Sequence, residues 1–128
     1  MATGAAGGAL TGSRIASLPL GVLLHLAGDL MPHEDIFDRR FEIGSGVACV
    51  LLLAIVRGPL DPAVTGALAA SAPDVEHVVR LPRPGGRKLF PTHRLHGWHR
   101  GGGVRARVQL LVAGFLVGLL LPGVRRVP

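Results

Sequence analysis

Cysteine is nearly absent from this chain: Cys49 is the only one in 128 residues, and it sits inside an apolar run. A lone thiol excludes an internal disulfide framework and a cysteine-based zinc knuckle. Cys49 therefore reads as a small apolar helix residue. Tyrosine is missing altogether, and aromatic residues make up only 4%. That scarcity counts against nucleic acid as a partner, because such surfaces interleave basic residues with stacking rings. Between residues 80 and 107, where the positive charge concentrates, only Phe90 and Trp98 are available. Charged residues are sparse at 17%, and no apolar run reaches the ~20 uninterrupted residues of an ideal membrane span. A tripartite signal peptide is not visible either: Arg14 precedes an apolar stretch, but no small-residue cleavage site follows before His33.

What is present leans toward lipid. Apolar residues reach 48% and glycines number 19, with a mean hydropathy of +0.45. The length suits one domain. Residues 1–14 are rich in Gly and Ala and read as a flexible tail or the first turns of a helix. Apolar runs follow at 15–31, 43–56 and 108–124, and a small-residue segment opens at Asp61-Pro62. There Asp suits the cap and Pro the first helical position. The runs at 15–31 and 108–124 would each be about 26 Å long as helices, close to a ~30 Å hydrocarbon core. The expectation is an all-α fold: an integral membrane bundle of about four short helices over residues 15–128, in a plasma or inner membrane.

Charge supplies an orientation for such a bundle. Formal net charge is +6, and eight Lys and Arg residues lie between 80 and 107. Placed in the cytoplasm by the positive-inside rule, loop 80–107 brings all six histidines to or near one face. Small-residue runs such as 66–71 would allow close packing between subunits, in a homo-oligomer, as readily as within one.

Three stretches carry candidate chemistry. His25, Asp29 and His33 are spaced i, i+4, i+8, which aligns them as one polar stripe on a helix. Ionisable groups inside an apolar helix usually face a partner or a cavity; the plainer alternative is a His–Asp pair that locks helices together. In Pro73-Asp74-Val75-Glu76-His77, Asp74 and His77 are three apart and share a face. Imidazole and carboxylate together suit a divalent ion such as zinc, manganese or iron. The third stretch runs from Pro91 to Arg100 and holds His93, His96 and His99 among arginines, with His93 the favoured ligand.

The PDVEH stretch, followed after a short basic loop by FPTHR, resembles the membrane-bound metal-dependent hydrolase-like family. Members of that family carry a Pro-Asp-x-Asp-His element and a later His-Arg element. The stretch from His25 to His33 is similar to the family's His-x3-Asp-x2-Pro-His element. The resemblance covers roughly residues 20–100 and implies metal-site roles for His25, Asp29, His33, Asp74, His77 and His93. Glu76 stands where the family has a second Asp, and Leu95-His96 where it has Thr-His.

The leading expectation is a membrane-embedded, metal-dependent hydrolase acting on a lipid or phosphoester at the cytoplasmic face. In it, a divalent ion acidifies water, Glu76 or Glu34 acts as general base, and Arg94 or Arg100 neutralises a phosphate. The alternative is a non-enzymatic membrane protein with a structural or regulatory His/Asp metal site. A transporter or proton relay ranks last, since four short helices leave little room for an inverted repeat.

Overall fold

The chain's architecture comes from a computed structural model that describes residues 1–95, 97–98 and 101–121. Its helices are α1 (Ala2–Thr11), α2 (Arg14–Leu30), α3 (Arg39–Arg57), α4 (Pro62–Ser71), α5 (Val75–Val78), α6 (Pro91–Arg94) and α7 (Ala106–Leu120). Short 3-10 turns at Ala72–Asp74 and Pro84–Gly86 interrupt the path from α4 to α6. Among the described residues there is no strand, only isolated bridges that pair His33 with Gly101 and Val104.

Helix ends follow local chemistry. Ser13 accepts from Ala16 N at the start of α2, and Asp38 accepts from Arg40 N and Phe41 N at the start of α3. Asp61 accepts from Ala63 N at 2.8 Å ahead of Pro62, as its position predicts. Arg57 closes α3, and its guanidinium reaches Asp61 at 3.1 Å and the Leu120 carbonyl at 3.0 Å. One side chain thereby ties the ends of α3 and α7 to the start of α4.

Small residues decide how the first helices pack. Residues 1–14, whose sequence left tail and helix both open, form α1 and its turn, and α1 lies against α4 with α2 alongside. Gly4 and Gly66 meet backbone to backbone: a Cβ on Gly66 would stand 2.2 Å from the Gly4 carbonyl oxygen. Ala2, Ala5, Val64 and Ala67 fill the contact, with Leu53 of α3 and Val117 of α7 completing the buried cluster. Ser17 and Thr65 share a hydrogen bond at 2.6 Å between α2 and α4. The small-residue run of α4 is thus used within the chain, against α1 and α2.

The expected integral membrane bundle is overturned. Among the described residues, no helix is long and apolar enough to cross a membrane. The run at 15–31 becomes a 17-residue helix that carries Pro19, His25 and Asp29 within it, and the last run a helix of only 15 residues. α3 reaches 19 residues only by including Arg39, Arg40 and Glu42. The segment from Asp61 onward yields 10 residues in α4 before the turn at Pro73 breaks it. The plasma or inner membrane localisation falls with the spans, and so does the cytoplasmic placement of loop 80–107, which depended on them. Many large side chains, among them Leu51 and Ile55 of α3 and Leu111 and Phe115 of α7, nevertheless face outward.

Candidate metal centre

Three separate elements deliver the polar cluster. His25 and Asp29 stand one turn apart on α2, as their spacing requires. The 3-10 turn after α4 places Asp74 at its end, and α5 carries Glu76 and His77. The basic loop then returns through the single turn of α6, which sets Thr92 and His93 against α2.

The atoms converge on Asp29. His25 Nε2 lies 3.2 Å and His93 Nε2 3.8 Å from Asp29 Oδ2. Both histidine side chains are more than nine-tenths buried. Thr92 donates its hydroxyl hydrogen to the same carboxylate. Behind His93, the Glu76 carboxylate stands 2.7 Å from Nδ1. Behind His25, Asp74 Oδ2 stands 3.7 Å from Nδ1, while its Oδ1 is 3.7 Å from His93 Nε2. Asp74 is the exposed member of the group.

This arrangement fixes tautomers. Glu76 beside His93 Nδ1 favours a proton there, and in that tautomer Nε2, which faces Asp29, is the nitrogen left for a ligand role, the carboxylate–histidine pairing common behind metal ligands. His25 Nε2 is buried and makes no hydrogen bond. Its 3.2 Å approach to Asp29 lies outside hydrogen-bond geometry. A buried ring nitrogen left in that state is costly unless something else completes it.

A divalent ion fits the arrangement. Zinc bonds nitrogen and oxygen at about 2.0–2.2 Å, so tetrahedral ligand atoms stand ~3.4 Å apart. The 3.2 Å and 3.8 Å separations around Asp29 bracket that value. Within the group His25, Asp29 and His93, every ligand atom lies within 4.8 Å of the others, and the same holds for Asp74, His77 and His93. The two groups share His93, whose Nδ1 lies 3.0 Å from His77 Nε2. His93 Nε2 faces both Asp29 at 3.8 Å and Asp74 at 3.7 Å, and of the two groups the one centred on Asp29 is the more buried.

Electrostatics follow from the same contacts. Burial would raise the Asp29 carboxyl, but the contact with His25, the Thr92 hydrogen bond and the charges of His25 and His93 bring it down to about 2. Burial would depress His25, yet Asp29 and Asp74 outweigh it and raise the imidazole above its ordinary value. Glu76 is 3% exposed. Burial pushes it up, and the Leu89 N–H, His93 and the Phe90 N–H more than reverse that, leaving it below the usual carboxylate range. His77 is lowered by burial and by the neighbouring charges of His93 and Lys88.

Of the residues picked out by the sequence, His25, Asp29, Asp74, His77 and His93 are brought together. His33 is placed elsewhere: its Nδ1 lies 2.7 Å from the Met31 carbonyl oxygen and its Nε2 3.7 Å from Asp35, and neither metal-type group includes it. Glu76 sits behind His93 with both oxygens engaged, at 2.6 Å from Leu89 N and 3.3 Å from Phe90 N. Two backbone N–H groups and the His93 ring thus surround its carboxylate. Glu34 accepts from Ala106 N at 3.2 Å and so caps the start of α7. Arg94 lines a cleft beside His93. Arg100, like His96 and His99, lies outside the described residues.

Sequence reasoning passed over Thr92, Arg87 and Lys88. Thr92 is buried next to His93 and supports Asp29; adjacency to a histidine was its only signal. The chain matches no protein-family model, and neither a curated protein nor a solved structure matches it.

Proposed function

We propose that the chain holds one divalent metal ion between His25 Nε2, His93 Nε2 and Asp29, and uses it for hydrolysis. The observation that carries this reading is the convergence of the two imidazole nitrogens on one carboxylate oxygen, with His25 Nε2 buried and lacking a hydrogen bond. Two histidines and one carboxylate leave a fourth position open, the pattern of catalytic rather than structural zinc. A bound divalent cation supplies Lewis acidity and acidifies water. Thr92 holds Asp29 in place, and Glu76 holds His93 in the tautomer that presents Nε2. Asp74, exposed and 3.7 Å from both imidazoles, is placed to take the proton of an attacking water, the role that sequence reasoning gave Glu76 and Glu34. The ordered motifs that resemble the metal-dependent hydrolase-like family support the same reading.

Elemental analysis of purified protein tests it, with wild type beside His25→Ala and His93→Ala. Near-stoichiometric zinc, manganese or iron in the wild type is expected, lost in both variants while helical circular dichroism persists. A well-folded wild type without metal, even after incubation with each ion, would sink the proposal.

A second reading has its own observation. α5 and α6 are single-turn helices, and the polar cluster is what joins them to α2. A metal there would clip the loop to the helices without catalysing anything. Removal of the ion would then lower the melting temperature, and no ester or phosphoester would turn over with the ion present.

A further inference from the structure

His93 has a second environment. Beside it opens a cleft of about 370 Å³ lined by Arg87, Lys88, His93, Arg94 and Leu95. Three of these five residues are cations, and no carboxylate lines the space. Among the described residues, none of the ion pairs involves Arg87, Lys88 or Arg94. Lys88 Nζ instead stands 3.5 Å from His77 Nδ1, a neighbour with no charge to offset it. Arg94 and Leu95 also border an adjoining cleft of about 160 Å³ whose other walls are Leu89 and Pro91. A strongly cationic hollow therefore borders His93 of the metal-type group and shares Arg94 and Leu95 with a smaller, more apolar recess.

We infer that this cleft binds the phosphoryl group of a small phosphomonoester, with the apolar part of its alcohol against Leu89, Pro91 and Leu95. The inference rests on the metal-site reading for its catalytic consequence, and on the cleft alone for binding. Two guanidinium groups and an ammonium match a phosphomonoester dianion better than a singly charged carboxylate or diester. Arginine forks engage two phosphate oxygens at once, and lysine acts as a point charge. The volume falls near the lower end of the ~300–1,000 Å³ typical of small-molecule sites, which suits a phosphoryl group with a small substituent. In the reaction, the oxygen of water bonds to phosphorus and the ester P–O bond breaks. The alcohol oxygen leaves with one of the water's two protons, and the water's oxygen, with the other proton, stays on inorganic phosphate. No oxidant, reductant or second substrate is needed.

The test measures inorganic phosphate binding by calorimetry on the full chain, metal-loaded and metal-stripped, with metal content assayed in every sample. Wild type is compared with the Arg87→Gln/Arg94→Gln double variant, neither position being a candidate metal ligand. Phosphate affinity is expected to fall at least about tenfold in the variant with metal content unchanged. Turnover of para-nitrophenyl phosphate should lose the same factor in KM, while para-nitrophenyl acetate keeps its KM. Equal phosphate affinity in wild type and variant overturns the cleft assignment even if metal is bound. Arginine-dependent phosphate binding by a wild type that holds no metal supports the cleft and removes the metal reading, so the two failures are separable. Arginine-dependent sedimentation with phosphatidate vesicles, without binding of the soluble ester, overturns the small-molecule assignment.

Discussion

The helical half and the loop half of this molecule are held by opposite means. In α1, α2 and α4, glycine and alanine let backbones touch, and the buried residues are almost all apolar: Ala2, Ala5, Val64, Ala67 and Ala70. From residue 80 to 95 almost nothing apolar is buried. There the chain is fixed by polar contacts: Arg83 to the Glu76 carbonyl at 2.9 Å, Glu76 to two backbone N–H groups and His93, and Thr92 to Asp29. Apolar packing is diffuse and survives small errors, whereas a polar network fails when one member is removed, because the others are left buried and unpaired. The candidate metal centre lies at the seam between these two halves, where α2 meets the loop.

Substitutions can break each half separately. The largest effect is expected from Gly66→Val, since any Cβ there stands 2.2 Å from the Gly4 carbonyl oxygen and backbone must move. A loss of at least ~3 kcal/mol is expected, visible as collapse of the urea unfolding midpoint. Glu76→Ala should cost about 2–3 kcal/mol, because two N–H groups and the His93 ring lose their acceptor. Hydrogen exchange should localise that loss to residues 83–95 and leave α1 and α4 protected. Uniform deprotection would instead mean that the two halves are one cooperative unit.

The pH dependence sharpens the contrast at Asp29, in metal-free protein. Its folded carboxyl sits at about 2 against 3.8 when unfolded. The stabilisation is fully present above the unfolded value and disappears as pH falls through the folded one. At about 1.4 kcal/mol per pH unit it amounts to about 2 kcal/mol. Denaturation between pH 5 and about pH 2 should show this slope in wild type and a shallower one in Asp29→Asn. The smallest effect is expected from Ser17→Ala, which removes the 2.6 Å link to Thr65 inside the helical half. It should cost ~1 kcal/mol, read as a small drop in melting temperature.

Parts of the site were legible because helical periodicity is local. The four-residue step from His25 to Asp29 guaranteed a shared face on α2, and Asp61-Pro62 announced the start of α4. His33 follows the same spacing but falls beyond Leu30, where α2 ends, so the stripe breaks at its last member. Glu76 was legible as a member of the site, but its contacts were not. Its partners, the Leu89 and Phe90 N–H groups, belong to backbone whose path no side-chain pattern announces. The membrane expectation failed because hydropathy counts residues, whereas spanning requires an unbroken apolar helix of sufficient length.

By itself the sequence determined the apolar helical runs that became α2, α3 and α7, the Asp61 cap of α4 and the polar residues offered beside them, because these depend on neighbours a few positions apart. Only the tertiary structure decided that His93 would meet Asp29 across 64 positions of chain. The same is true of the turn of Glu76 toward His93, and of Arg87, Lys88 and Arg94 lining one hollow. Those placements follow from how a loop of single-turn helices docks, and docking depends on contacts summed over the whole chain.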